Sequence, residues 1–226
     1  MNFLIKNIFR ESIKWNVVFL SMVVFTVFFI PVFSPAYQKM IYDIAFTLIF
    51  LLGYLISDRM HPVILPLSIG AVIVTWTSAI FKLKMLFYLS SSLNLVFFAI
   101  VVFTLIKHLA ISKTVTFRLI LDSIIIYLLI GLIFSIIVGF IYGSDPTAFS
   151  FTGSGNTSAV VNRHDFIYFT FVTLTTTGFG DIVPVQPYAR SLTIFIAITG
   201  QMYIAIIISM LVGKYAALRH EDRNEE

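Results

Sequence analysis

The length of each apolar run is the property that most restricts how this chain can fold. Six predominantly apolar runs, Trp15–Phe33, Met40–Ser57, Pro62–Phe81, Met85–Ile106, Leu119–Tyr142 and Tyr188–Gly213, stand out in the sequence. Each has close to or more than the roughly 20 residues that a helix rising about 1.5 Å per residue needs to cross a hydrocarbon core about 30 Å thick. A seventh run, Phe166–Thr176, is about half that length and cannot cross. It must enter and turn back. Non-helical backbone at membrane depth persists only where protein or enclosed water satisfies its polar groups, so this run implies a lined cavity.

Composition agrees with a membrane setting: 59% of the 226 residues are hydrophobic, 12% are charged and the mean hydropathy is +0.98. An ordinary soluble domain carries about 25% charged residues, and no segment here is polar enough for an attached one. The net charge of +4 is spread along the chain, without the basic stripe that nucleic-acid binding needs. The absence of cysteine removes disulfides, thiolate metal sites and cysteine nucleophiles. Lys6, Arg10 and Lys14 precede the first run much as in a signal peptide, but that run exceeds a signal core and no small-residue cleavage site follows. It reads as a retained span.

Six spans put both termini on one side. The termini side then holds Lys6, Arg10, Lys14, Arg59, Lys107, Lys113, Arg118, Lys214, Arg219 and Arg223, against Lys39, Lys82, Lys84, Arg163 and Arg190 opposite, ten to five. By the positive-inside rule the termini are cytoplasmic, in a multi-pass protein of the cell membrane. Gly143–Asn162, rich in Gly, Ser and Thr, reads as an exposed turret, and Lys214–Glu226 as a short tail extending the last helix.

The diagnostic passage is Phe166–Pro184, FIYFTFVTLTTTGFGDIVP. A tight turn explains Gly178-Phe179-Gly180 taken alone. Together with the threonines before it, the aspartate after it, the half-length helix upstream and the full span downstream, the passage resembles the pore region of six-transmembrane potassium channels of the voltage-gated-like superfamily. That resemblance implies a carbonyl-lined selectivity filter at Thr176, Thr177, Gly178, Phe179 and Gly180, with Asp181 at the outer mouth. It further implies K+ held at Thr176, Thr177, Gly178 and Phe179, and four subunits around one axis. Carbonyls that replace an ion's hydration shell must all face that axis, and glycine at alternate positions allows this because it reaches positive φ without a Cβ penalty. Asn162 is a plausible helix cap, and Asp165 suits the positive end of the pore helix. Phe179 and Thr177 stand where the family pattern has tyrosine and valine.

The resemblance continues into the last span, where Arg190 matches a basic residue near its outer end. Gly200 falls at a position often treated as a bend, and close packing against the pore helix explains it equally well. Gln201 is a polar amide inside a span and must face water or a partner: it either lines a cavity below the filter or bonds a pore-helix threonine. Ala197, Ala205, Ser209 and Gly213 form a strip of small residues suited to helix packing.

The chain thus reads as an all-α membrane protein with six transmembrane helices, a re-entrant pore helix and filter loop, and a tetrameric assembly. Residues 1–116 form a peripheral four-helix domain, 117–213 the pore domain and 214–226 the tail. The fourth span carries no arginine, which argues against voltage sensing by arginine transfer. Asp43 and Asp58, near opposite ends of the second span, read as solvated interfacial groups. Lys107–Arg118 reads as a basic amphipathic connection along the membrane face, with Arg118 and Asp122 spaced to pair. The expected function is passive K+ conduction without a chemical step or organic cofactor, with membrane lipids, K+ and further copies of the chain as partners. A cation channel that does not discriminate K+ from Na+, and a secondary transporter with one broken helix, are the alternatives. His61, His108, His164 and His220 are scattered and form no catalytic set.

Overall fold

The computed structural model describes residues 2–56, 64–81, 83–112, 115–151 and 161–224. The protein is an all-α membrane protein, with seven α-helices among the described residues: α1 (Asn2–Val24), α2 (Pro35–Ile56), α3 (Ile64–Phe81), α4 (Lys84–Ile111), α5 (Phe117–Ser144), α6 (Arg163–Leu174) and α7 (Pro187–Asn224). Two short strands, β1 (Phe149–Phe151) and β2 (Ile182–Pro184), pair antiparallel with Phe149 opposite Pro184. Among the described residues, five segments are both long and apolar enough to cross a membrane: Ile13–Val32, Ile64–Phe81, Met85–Ile111, Phe117–Ser144 and Pro187–Ala216. α2 has the length, at 22 residues, but opens on the polar Gln38, Lys39 and Asp43.

The chain divides into two compact units, residues 1–112 with 116–129, and residues 113–115 with 130–226. In the first unit, α1 ends through a π-turn, Phe25–Phe29, and a 3-10 turn, Ile30–Val32. Pro31 cannot continue an α-helical hydrogen-bond ladder, and the last carbonyls of the ending helix need donors from outside it. The buried Gln38 of α2 supplies them, with Nε2 donating to the Pro31 carbonyl at 3.2 Å and the Phe33 carbonyl at 2.8 Å. The core is aromatic: Phe50 meets Phe97 edge-on with centroids 4.7 Å apart, and Phe46 lies 5.8 Å from Phe98. Thr75 and Ser90 share a hydrogen bond of 2.9 Å between α3 and α4.

Two expectations for this unit are corrected. Asp43 is 5% exposed, so it is packed rather than solvated; its neighbours Tyr42 and Phe46 on α2 are buried with it. Asp58 lies outside the described residues, as do Arg59, His61, Lys82 and Lys113 and the side chains of Lys6, Arg10, Lys84, Arg219, His220 and Arg223. Lys107–Arg118 is not one amphipathic segment: α4 runs on to Ile111, because Leu109 is buried at 2% exposure, and α5 begins at Phe117. The expected Arg118–Asp122 pair is present as a long ion pair, with Nε 4.0 Å from Oδ2.

Asp122 takes its hydrogen bonds from other helices. It is fully buried, accepts from the Asn16 amide of α1 through a short hydrogen bond, and accepts from His108 Nδ1 of α4 at 2.8 Å. A buried carboxylate is tolerated only when such donors replace its water. One side chain therefore ties three helices together. Asp122→Ala leaves the amide and the imidazole without their acceptor and is expected to cost about 2 to 3 kcal/mol. Thermal unfolding in detergent should show this as a lowered midpoint; a wild-type midpoint would count against the tie.

Candidate functional site

The second unit is organised around α6, the half-length helix. Asn162 stands at its N-cap in extended conformation, and the Asp165 carboxylate accepts from the Asn162 backbone N–H at 2.7 Å. Partial burial pushes the Asp165 carboxyl up. Hydrogen bonds from His164 and from the Asn162 backbone outweigh that, and the carboxyl lies below its ordinary range. The helix seats its rings against the second half of α5: a Cβ at Gly131 would overlap the Phe171 ring, and one at Gly139 would lie 3.2 Å from Phe166. Sequence reading passed over both glycines. Their spacing of eight residues, two turns on one helix face, was the available signal.

Beyond Leu174 the backbone departs from helix without leaving it. The Thr175 N–H donates to the Phe171 carbonyl at 2.9 Å and the Thr176 N–H to the Thr173 carbonyl at 2.9 Å. The Thr177 and Gly178 N–H groups converge on the Val172 carbonyl at 2.9 and 3.3 Å. The peptide bonds among the described residues are trans, so the carbonyl in each of these peptide units points away from its own N–H. The carbonyls of Thr175, Thr176 and Thr177 therefore face away from the helix end.

Positive φ alternates along the segment, with Thr176 at 58°, Gly178 at 57° and Gly180 at 80°. Glycine adopts this region freely, whereas for a β-branched threonine it is a true outlier costing about 1 to 2 kcal/mol. Side-chain bonds hold the threonine there. Its hydroxyl donates to the Thr175 carbonyl at 2.7 Å, and Thr175 and Thr177 hydroxyls meet at 2.9 Å. Thr175 to Gly180 are all exposed on the single chain, Phe179 at 69%.

The outer end is anchored. The Tyr168 hydroxyl of α6 donates to Asp181 Oδ2 at 2.6 Å, a contact that sequence reading did not identify. The strand β2 that follows pairs with β1, so the expected turret Gly143–Asn162 is only partly a free loop. Its first residues fold back, with Ala148 and Phe149 buried, and Phe149 packs edge-on to Phe169 at 5.2 Å. Residues 152–160 lie outside the description. Asp145 accepts from Thr147 Oγ1 and N–H and, through a short bond, from the Tyr188 hydroxyl, which together hold its carboxyl below the ordinary range. Stability from that cluster is present above the unfolded carboxyl's pKa and lost only as pH falls through the depressed one. Arg190 Nε contacts the Pro184 carbonyl at 3.4 Å.

At the inner end the two open readings of α7 are sharpened. A Cβ at Gly200 would overlap the Leu174 carbonyl oxygen and lie 2.8 Å from its carbon, so close backbone approach to the end of α6 explains this glycine. Gln201 Nε2 donates to Thr176 Oγ1 at 3.1 Å, bringing together two residues singled out separately in the sequence. Ala205, Ser209 and Gly213 remain exposed on this chain, and a Cβ at Gly213 would meet nothing.

No curated protein matches the chain. Residues 123–216, from early α5 through the apolar length of α7, match the model of a family described as ion channels. The re-entrant helix, the alternating segment and the Gly200 approach all lie inside that match.

Two substitutions test this geometry. Gly200→Ala forces α7 away from a backbone carbonyl that has no rotamer to adopt, and flux through reconstituted protein is expected to fall at least tenfold, with a lower thermal midpoint. Tyr168→Phe removes one solvent-exposed hydrogen bond to a carboxylate, worth about 0.5 to 1.5 kcal/mol. It should loosen the segment at Asp181, read as faster amide exchange at Gly180 and Asp181.

Proposed function

We propose that the chain is one subunit of a potassium-selective channel, conducting K+ passively through a filter of Thr176, Thr177, Gly178, Phe179 and Gly180 with Asp181 at its mouth. The family match supports ion-channel activity. The observation that carries the finer reading is the alternation of positive φ at Thr176, Gly178 and Gly180, coupled to the commitment of the neighbouring N–H groups to α6. Peptides whose donors are already bonded leave acceptors free, and acceptors alone can stand in for an ion's water.

Assembly follows from the same backbone. One copy presents a single file of carbonyls, whereas a dehydrated cation needs oxygens around it, and unsatisfied backbone at membrane depth costs several kcal/mol per group. The resemblance to potassium channels implies four copies around an axis, and the exposure of Thr175 to Gly180 together with exposed apolar side chains on α7 supports a closed assembly. K+ then occupies positions at Thr176, Thr177, Gly178 and Phe179. α6 ends one residue before the filter, where its dipole presents about half a negative charge to the entering cation. The excess of basic residues on the termini side supports cytoplasmic termini and an Asp181 end that faces outward.

The test is ion flux. Liposomes holding purified protein are expected to release K+ down its gradient, to pass Na+ at least a hundredfold more slowly and to be blocked by barium. Equal K+ and Na+ fluxes would replace this reading with a non-selective cation channel, and the missing Phe179 hydroxyl is the first place to look for the cause. Gly178→Ala places a side chain at φ 57° and should abolish flux while the assembly still elutes intact.

A further inference from the structure

Gln201 makes a contact that a carbonyl filter does not itself require. Its amide donates to Thr176 Oγ1 at 3.1 Å, while that hydroxyl donates its own proton to the Thr175 carbonyl at 2.7 Å. A hydroxyl has one proton and two acceptor lone pairs, so the two bonds leave one lone pair free and fix its direction. Without the amide, the hydroxyl of a residue at φ 58° keeps a single bond and can turn about it.

Resting on the filter reading, we infer that Gln201 is a positioning residue that sets cation affinity at the innermost site, by aiming the remaining lone pair of Thr176 at the ion. Two further observations support it. Gln201 is exposed within the apolar stretch Pro187–Ala216, where an amide facing lipid would cost several kcal/mol, so its open side faces water or a neighbouring copy rather than lipid. Its neighbour Gly200 is packed on the Leu174 backbone, which fixes α7 against the end of α6 within one residue of the amide. The donor is therefore held in place before the ion arrives. An oxygen aimed beforehand replaces hydration without reorganising, which is how a site gains affinity from geometry. The ligand class is a cation of potassium's size, and barium, with nearly that size and twice the charge, is the probe most sensitive to one ligand oxygen.

The experiment measures rubidium uptake into liposomes holding the full chain and the barium concentration that halves it. Gln201→Leu removes the donor, and Gln201→Asn keeps an amide one methylene too short to reach Thr176. Both are expected to raise the half-blocking concentration about tenfold, the equivalent of one hydrogen bond. A purely structural role would lower total uptake without moving the half-blocking concentration, because block is scaled to each variant's own unblocked flux. Wild-type block in either variant that elutes as an intact assembly overturns the inference while leaving the filter reading standing. A wild-type chain that takes up no rubidium overturns the filter reading, and this inference with it.

Discussion

The second unit depends on how the C-terminus of α6 satisfies its carbonyls. A helix end has four acceptors without partners, and proteins usually fill them with a glycine cap, a lysine or water. Here the donors are the N–H groups of Thr175, Thr176, Thr177 and Gly178, and the Val172 carbonyl takes two of them. Each N–H that turns toward the helix turns its own peptide carbonyl away from it. The end of an ordinary helix thus determines which side of the next four residues is rich in acceptors. Alternating positive φ carries that sidedness on to Gly180.

Close packing keeps the arrangement in place. The rings of Phe166 and Phe171 fill spaces that exist because Gly139 and Gly131 lack side chains, and Gly200 lets α7 press on the Leu174 backbone. These contacts are steric and hence stiff, and they fix α6 and α7, the two helices to which Thr176, whose conformation is unfavourable by itself, is hydrogen-bonded. Strain of about 1 to 2 kcal/mol persists only where the surroundings over-determine it. In the first unit a polar contact does comparable work, as Asp122 gathers donors from α1 and α4 onto α5.

Long periodic features were readable from sequence and short or tertiary ones were not. Span lengths, the half-length α6, its Asn162 cap and the glycines at 178 and 180 follow from local rules about helix length, capping and φ. The strand Phe149–Phe151 is three residues long and forms because β2 lies opposite it, so no local pattern announces it. Tyr168 meets Asp181 across thirteen residues of chain, and His108 and Asn16 meet Asp122 across more. The helical spacing of Arg118 and Asp122 was legible, but spacing does not reveal a better donor arriving from another helix. Lys107–Arg118 was misread for a related reason: its charges suggested an interface, whereas the burial of Leu109 keeps α4 helical.

The hydrogen bond between Tyr168 and Asp181 has a mechanical consequence. The segment from Thr175 to Asp181 is fastened at its start to the last turn of α6 and at its finish to a side chain of the same helix. Tyr168 and Leu174 are separated by a length of helix of about 9 Å, and that length does not change when the helix tilts or shifts. The segment is a string tied at both ends to one rod. Movement of the rod carries the string along without stretching it, so the spacing between successive oxygens is referenced to α6 itself rather than to the distance between separate helices.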